Sequence, residues 1–300
     1  MRNIVENLEK EKRSIGVHSG PFHADEVTTC AFLIIFNLID IDKIYRTRDP
    51  YVLGRCEYVC DVGEEYDPAR KIFDHHQGDY TGSLSSAGMI LKYLLDCDYL
   101  SGEEYHYYNE GFVIGVDAHD NGIEMHERGV MTFSHIIASY NPIDIGAAHG
   151  ARDKSFREAL DFALRTVRIM SSRYQYMQKC SLSIAEHMCE KGAALIFEKP
   201  LNWQEGFFDQ GGREHPAKFI VMPCSDGHWK LRGIPPSLDD RMSVRRPLPK
   251  KWAGLSGSDL EAVTGIKGAV FCHKGRFVSI WETREAVMQA LKYVLDENYE

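Results

Sequence analysis

The first third of the chain alternates short apolar runs with turn-rich stretches. A run at 14–18 is followed by the turn SGPF, and further runs lie at 43–47, 57–62 and 71–75. Runs of this length that are bounded by turns are typical of buried strands in a parallel sheet. The pattern therefore predicts a parallel sheet built from these four segments.

Between and after these runs, apolar residues recur with helical spacing. Residues 25–38 predict a helix that is buried on most of its surface, and residues 85–96 predict a helix with a serine cap. Residues 103–117 end in FVIGVD and predict a helix that leads into a ligand-bearing turn. A long helical pattern without Pro or Gly covers 153–190, and we expect it to connect two lobes.

From residue 193 the pattern changes to short strands, which include a hairpin with its turn at 274–275, and it ends with a helix over 283–297. The predicted fold class is α/β, with a parallel-sheet N-terminal lobe and a smaller α+β C-terminal lobe. The predicted domains are residues 1–190 and residues 191–300.

The net charge of −9 means that the protein as a whole repels polyanions. A nucleic-acid substrate would therefore need a local basic surface or bound cations. Nine of the thirteen histidines precede residue 150. This distribution places any histidine-rich chemistry in the first half of the chain.

The sequence favours a soluble, cytoplasmic protein. Its first residues contain acids and no apolar run, so neither a signal peptide nor a transit peptide is expected. The longest apolar run, at 31–36, is too short to span a bilayer. No CxxC pair is present, and we expect the eight cysteines to be reduced core residues.

Side chains of the metal-ligand type lie at or after the ends of apolar runs in four separate segments: His18, His23 and Asp25; Asp61; Asp74, His75 and His76; and Asp117. Parallel sheets place their sites beyond the carboxyl ends of the strands, so we expect these side chains to meet at one edge. Mixed imidazole and carboxylate ligands suit Mn²⁺ or a similar transition metal better than Mg²⁺ or Ca²⁺. An aspartate shared by two ions would give the metal pair, ~3.5–4 Å apart, that is used in phosphoester hydrolysis.

Missing motifs exclude several other chemistries. The chain has no GxxxxGK[ST] loop, no GxGxxG, no HExxH and no GxSxG. The segment HADE at 23–26 differs from the H-x-E motif of zinc deaminases, because Asp stands in place of Glu and no PCxxC follows.

The residues around these ligands resemble the melanocyte-proliferating-gene (Myg) branch of the DHH phosphoesterase superfamily. The resemblance covers nearly the whole chain, and its joint pattern is specific. It is carried by VHSGPFHADE (17–26), DVGEEYDPARKIFDHHQ (61–77), LSSAG (84–88), GVDAHDNGI (115–123), RGIPP (232–236), SVRRPLPKKWAGL (243–255) and TGIKGAVFCHKGRF (264–277).

The resemblance implies a DHH-type N-terminal lobe with a two-metal centre and an exonuclease-like activity on RNA or DNA. By the family pattern the metal ligands are His18, His23, Asp25, Asp61, His75 and Asp117. Asp74 would orient its neighbours, and His76 would contact the scissile phosphate. Two Mn²⁺ ions are the expected cofactor, with Mg²⁺, Co²⁺ or Zn²⁺ as alternatives.

Two departures from the superfamily pattern are visible. Most DHH enzymes have Asp-x-Asp where this chain has residues 23–25, His-Ala-Asp, a histidine that the Myg branch shares. The GGGH-type element of many DHH-associated C-terminal domains is also missing.

A basic segment in the C-terminal lobe is the candidate substrate surface. Residues 230–251 contain seven Lys or Arg against two Asp, and Trp229 and Trp252 flank the segment, where they could stack on bases. A solvated loop with structural prolines is the alternative. At the predicted helix beginning near residue 85, free amides could hold a phosphate oxygen, and a plain N-cap is equally compatible. The predicted substrate-binding residues are Ser85, Ser86, Arg232, Arg241, Arg245 and Arg246.

These features lead to the hypothesis of a divalent-metal-dependent phosphodiesterase, a 3′–5′ exonuclease on single-stranded RNA or DNA that uses a water activated by two metals. Two alternatives stay open: a small-molecule phosphoesterase acting on pyrophosphate, nanoRNA or cyclic dinucleotides, and a non-catalytic protein that binds nucleic acid or metal. The expected partner is a single-stranded nucleic acid or oligonucleotide, no membrane is expected, and a homodimer is left open.

Overall fold

The computed structural model describes residues 4–6, 8–123, 127–144, 146, 149–240 and 243–296. The chain forms two compact units, residues 1–174 and residues 175–300. The division falls inside a long helix, so a helix that was expected to connect two lobes runs through both units. The domain boundary after residue 190 stays a prediction.

In the described part of the chain the strands are β1 Glu11–Val17, β2 Ile44–Arg46, β3 Cys56–Cys60, β4 Tyr66–Asp67, β5 Ile72–Phe73, β6 Ala194–Ile196, β7 Phe219–Pro223, β8 Trp229–Gly233, β9 Ala269–Cys272 and β10 Val278–Trp281. The α-helices are α1 Ala24–Ile35, α2 Pro50–Arg55, α3 Ser86–Asp96, α4 Gly102–Tyr108, α5 Ile114–Asp120, α6 Phe133–Ser139, α7 His149–Met188, α8 Gln204–Asp209, α9 Gly257–Thr264 and α10 Arg284–Asp296.

The first unit is built on a five-stranded sheet with the order β2-β1-β3-β5-β4. Its strands are parallel except at the β4–β5 pair, so the predicted parallel sheet is confirmed. The two-residue strand β4 was not predicted, because so short a segment has no measurable alternation. The parallel arrangement brings the carboxyl ends of β1, β2, β3 and β5 to the same edge.

Strand β3 shows how this sheet is held between two layers. Tyr58 and Cys60 are buried on one face in the core formed with α1 and α3. Val59 points to the other face, where it packs with Leu53 of α2. This alternation is the two-residue period of a strand that is buried on both sides.

The segment predicted as one helix over 103–117 is interrupted. Helices α4 and α5 are separated by a single π-helical turn, Asn109–Val113. Asp117 therefore lies inside α5 and is carried to the sheet edge by a helix. Isolated π turns inside helices are frequent at functional sites.

The second unit holds a mostly antiparallel sheet with the order β6-β7-β8-β10-β9, in which β6 and β7 are the parallel pair. The α/β class with a smaller α+β C-terminal part is thus confirmed. Trp252 is fully buried and packs against Trp281 and Tyr293. The hypothesis that Trp252 stacks on bases is therefore wrong.

Among the described residues, no helix combines the length and the apolar character needed to cross a bilayer.

Candidate metal centre

Three strands of the first sheet deliver side chains to one edge. His18 directly follows β1, Asp61 directly follows β3, and residues 74–76 directly follow β5. Asp61 has a φ of 56°, a left-handed conformation that aspartate and asparagine tolerate better than other non-glycine residues. The sharp turn after β3 places its carboxylate beside the histidines of the two neighbouring strands.

The first group of this cluster forms around His18. His18 Nε2 lies 2.8 Å from Glu26 Oε1 and 3.2 Å from Asp61 Oδ2. One ligand atom from each of His18, His23, Glu26 and Asp61 lies within 4.8 Å of the others. Four nitrogen and oxygen donors at this spacing could hold one divalent cation.

Glu26 is a member of this group that sequence reasoning missed. The N–H of His23 donates to Glu26 Oε2 at 3.0 Å, so one oxygen satisfies an amide at the start of α1 while the other faces His18. The side chain is fully buried. The signal in the sequence was a glutamate three residues after the N-cap position, a pattern that ordinarily indicates only a capping box.

The second and third groups share His75. His75 Nε2 lies 2.9 Å from Asp120 Oδ2 and 3.9 Å from Asp61 Oδ1. Asp25, His75 and Asp120 form one candidate ligand group, and Asp61, His75 and His76 form another. Asp120, which was not among the predicted site residues, therefore completes a second candidate cation position.

Several buried atoms of the cluster approach a partner without forming a hydrogen bond to any described residue. These atoms are His18 Nε2, Glu26 Oε1, Asp61 Oδ2 and His75 Nε2. Burying such polar atoms without a hydrogen bond is costly. Nitrogen and oxygen atoms that lie close together without hydrogen bonding to one another have the arrangement expected of ligands around a cation. The residues present thus fit a divalent metal site.

The electrostatics of the metal-free cluster support the same conclusion. Burial, together with the nearby charges of Asp61 and Asp120, raises the pKa of Asp25 well above its usual value. Burial alone would lower the pKa of His18, but the carboxylates of Asp61 and Glu26 outweigh it and raise that pKa to about 11. At His75 burial is likewise outweighed, chiefly by Asp120, and the pKa rises to about 9. Protons thus offset the carboxylate charge when no metal is bound.

We expect the affinity for Mn²⁺ to rise at least ~10-fold per pH unit between pH 6.5 and 8, because each bound ion displaces a proton from His18 or His75. Since the folded-state pKa of His75 is raised, its contribution to stability is present below pH ~6.5 and is lost as the pH rises through about 9. Melting temperatures with EDTA from pH ~6 to ~10 follow the stability of the metal-free protein. Melting temperatures with Mn²⁺ over pH ~6.5–8, together with calorimetric proton release, follow the affinity. An affinity that does not change with pH would contradict this assignment of the ligands.

The N-terminus of α3 binds two carboxylates of the protein itself. Asp25 accepts hydrogen bonds from the amides of Ser86 and Ala87, and Asp117 accepts from the amides of Ser85 and Gly88. The Ser85 hydroxyl lies 2.6 Å from Asp25 Oδ1 and 2.7 Å from Asp117 Oδ1. The sequence left open a phosphate oxygen or a plain N-cap at this helix end, and in the structure the free amides donate to the carboxyl groups of Asp25 and Asp117.

The two serines predicted to bind substrate are therefore engaged internally. Both are fully buried, and the hydroxyl of Ser86 donates to the carbonyl of Phe73 and accepts from the N–H of Asp61. A phosphate contact by either side chain would require it to release these partners. Asp117 occurs in none of the ligand groups among the described residues, and its role as a metal ligand stays a prediction.

Gly88 leaves room for the Asp117 carboxylate at this helix end, so a larger residue at position 88 is expected to destabilise the fold. A Cβ at position 88 would overlap the Asp117 carboxylate, whereas a Cβ at Gly115 of α5 meets nothing. Gly88→Ala should lower the free energy of unfolding by ~1–3 kcal/mol through this overpacking, and Gly115→Ala should raise it by ~0.5–1 kcal/mol. Urea denaturation of both variants checks this pair, and equal stability of the two would show that the contact is not needed.

His76 is placed where it could contact a substrate, and Asp74 is placed where it could hold His76 in position. Asp74 is buried, and its Oδ1 lies 2.8 Å from His76 Nδ1 while its Oδ2 accepts the N–H of Glu64. The side chain of His76 is 58% exposed, and its pKa is raised, chiefly by Asp74. Both residues line an open cavity of about 480 Å³ that also exposes His18, His23 and Asp61.

The arginines predicted to bind substrate lie in the second unit. Arg245 donates from its five guanidinium N–H groups to the carbonyls of residues 212, 213, 215, 217 and 235, so a substrate contact would require the loss of one of these bonds. Arg232 is partly buried over the ring of Phe277, and Arg246 is partly buried. Arg241 lies outside the described residues. Their contacts with substrate stay predictions.

A buried imidazole–carboxylate cluster that opens into a cavity at the carboxyl edge of a parallel sheet could hold divalent cations, as the sites of metal-dependent hydrolases do. Residues 14–295 match the family model described as MYG1_exonuc, Uncharacterised protein family (UPF0160). The chain belongs to this family, in agreement with the resemblance seen in its sequence.

Relatives with related sequences align with nearly the whole of this chain. The chain is 51% identical over 285 residues to "MYG1 protein" of Chlamydia trachomatis serovar D, covering 95% of this chain and 97% of the relative. It is 31% identical over 328 residues to "MYG1 exonuclease" of Homo sapiens, covering 94% and 85%. No solved structure matches the chain significantly.

Proposed function

We propose that this protein is a divalent-metal-dependent phosphodiesterase, a 3′–5′ exonuclease that acts on single-stranded RNA or DNA. The observation that carries the proposal is the set of linked ligand groups around Asp61 and His75, which opens into the cavity. The relatives named as exonucleases support the reaction class. Two Mn²⁺ ions are the proposed cofactor, because the donors mix imidazole with carboxylate.

Different residues of the site have different roles in the proposed reaction. His18, His23, Glu26 and Asp61 would hold one cation, and Asp25, His75 and Asp120 would hold the other. Asp61, which also forms a ligand group with His75 and His76, would be shared by both cations. When bound, such a pair lowers the pKa of a water nucleophile and neutralises charge on the phosphoryl group.

The chain's own acid–base contribution comes from His76. Its Nδ1 is fixed by Asp74, and the raised pKa favours the protonated ring. A protonated imidazole that faces the cavity can donate a hydrogen bond to a phosphoryl oxygen as negative charge develops there.

The proposal is tested with 5′-labelled single-stranded RNA and DNA ten-mers and Mn²⁺-loaded protein. We expect a ladder that shortens from the 3′ end, which EDTA and His75→Ala abolish. The matched control is His106→Ala on α4, an exposed histidine outside the cluster, which should keep full activity. Intact substrates with both the wild type and His75→Ala would overturn the nuclease function, and cleavage restricted to dinucleotides would favour a small-molecule phosphoesterase.

A further inference from the structure

Arg48 lies at the same sheet edge as the cluster but has no part in it. It follows β2, which pairs in parallel with β1, so the carboxyl end of β2 lies beside the end of β1 that leads to His18. It lines the cavity that exposes His18, Asp61 and His76. Among the described residues around this cavity, Arg48 is the one lysine or arginine.

The backbone on either side of Arg48 is fixed. The N–H of Thr47 donates to the carbonyl of Val17, one residue before His18, at 2.8 Å. The amide of Asp49 donates to the Thr47 hydroxyl, and the Asp49 carboxylate caps α2 by accepting the N–H of Tyr51. Arg46 donates to the carbonyl of Gly20 in the loop between His18 and His23. The position of Arg48 is thus tied directly to the loop that carries the metal-site histidines.

The guanidinium itself forms no ion pair or hydrogen bond with another described residue, although acids line the same cavity. It therefore lies outside ion-pair distance of Asp61 and Asp74, and so outside the shell of atoms that would surround the cations. The cavity, about 480 Å³, has the volume of sites that hold a small organic molecule and is far larger than one phosphate group. A cation at its wall can therefore reach a second anionic group of a bound substrate.

We propose that Arg48 binds a phosphate group of the single strand next to the phosphodiester that is hydrolysed. This inference rests on the proposed function and makes it more specific, because it requires a substrate that carries at least two phosphates. Arginine suits this task, since its planar fork of donors matches the oxygens of a phosphate.

Binding of a fluorescein-labelled single-stranded tetraribonucleotide is measured first, by anisotropy with Ca²⁺ in place of Mn²⁺ so that turnover is avoided. Arg48→Gln should weaken Kd about tenfold, and should reduce the slope of log Kd against log salt by about 0.7, the value for one phosphate contact on a single strand. The matched control is Arg55→Gln on α2, an exposed arginine that lines a different cavity. It should leave both quantities unchanged.

Hydrolysis kinetics then distinguish a contact with the neighbouring phosphate from a contact with the reacting phosphate. With Mn²⁺, Arg48→Gln should raise KM for the tetranucleotide and leave kcat/KM for bis(p-nitrophenyl) phosphate, which has one phosphodiester and no second phosphate, at the wild-type value. Equal losses on both substrates, or an unchanged Kd and salt slope, would overturn the role of Arg48. If Arg48→Gln weakens binding as expected but the wild-type protein cleaves neither substrate, the proposed hydrolysis is overturned and the role of Arg48 in binding stands.

Discussion

Asp61→Asn is expected to lower kcat/KM by at least ~1000-fold, a loss of about 4 kcal/mol of transition-state stabilisation. Asp61 is the residue that joins two ligand groups, because its Oδ2 faces His18 while its Oδ1 faces His75 and His76. Asparagine cannot supply two anionic oxygens, so both cation positions should be weakened together. Steady-state kinetics with Mn²⁺ measure the effect.

The fold should survive this substitution. Asparagine tolerates the left-handed backbone at position 61, and the N–H of residue 61 still donates to Ser86. Because burial, and then the neighbouring carboxylates, raise the pKa of Asp61, its charged form is disfavoured in the metal-free fold. The melting temperature with EDTA should therefore stay the same or rise, and the increase produced by Mn²⁺ should disappear. Asp42→Asn, at an exposed aspartate, is the control and should change neither quantity. A variant that keeps both the Mn²⁺ response and activity would remove Asp61 from the site.

Asp120→Asn should reduce activity about 100-fold and lower the number of bound Mn²⁺ ions from two to one. Asp120 contributes a carboxylate beside His75 and Asp25, and an orienting or ligating carboxylate at a metal site is typically worth ~10–100-fold in affinity or activity. Kinetics, together with metal analysis after dialysis, check both numbers.

The stability of the metal-free protein is expected to distinguish Asp120→Asn from Asp61→Asn. Burial alone would raise the pKa of Asp120, but His75 outweighs it and the pKa is lowered. Its charge therefore stabilises the fold above pH ~4 and is lost as the pH falls below that value. At pH 7 the melting temperature of Asp120→Asn with EDTA should fall, opposite in direction to Asp61→Asn. Two bound ions and normal kinetics in this variant would show that the second cation position lies elsewhere.

Much of the sheet edge could be predicted from the sequence, because few physical rules determine it. Buried parallel strands read as short apolar runs, and their carboxyl ends must meet. His18 and Asp61 come directly after such strands and His75 comes two residues after one, so their meeting follows from topology without any knowledge of side-chain positions.

The contributions of the helices could not be predicted in this way. Asp117 and Asp120 lie three residues apart on α5, and the rotation of that helix decides which of them faces the metal ligands. The π turn at 109–113 changes that rotation, and nothing in the apolar pattern indicates it. Glu26 was missed for a related reason, since a glutamate at the third position of a helix ordinarily caps the helix and here also faces His18.

The substrate side shows the limit of composition as evidence. The arginine-rich segment predicts a phosphate surface, yet Arg245 uses its guanidinium to hold backbone carbonyls. Arg48, in contrast, is a single arginine in an otherwise ordinary turn. Only the positions of its neighbours show that it borders the cavity of the candidate metal centre.

Anomalous diffraction from a crystal grown with Mn²⁺ tests the central claim most directly. We predict two peaks ~3.5–4 Å apart, one in contact with His18 and Asp61 and the other in contact with His75 and Asp120. A map without a peak among these four residues, or with ions bound only at other positions, would contradict the metal centre and the function proposed from it.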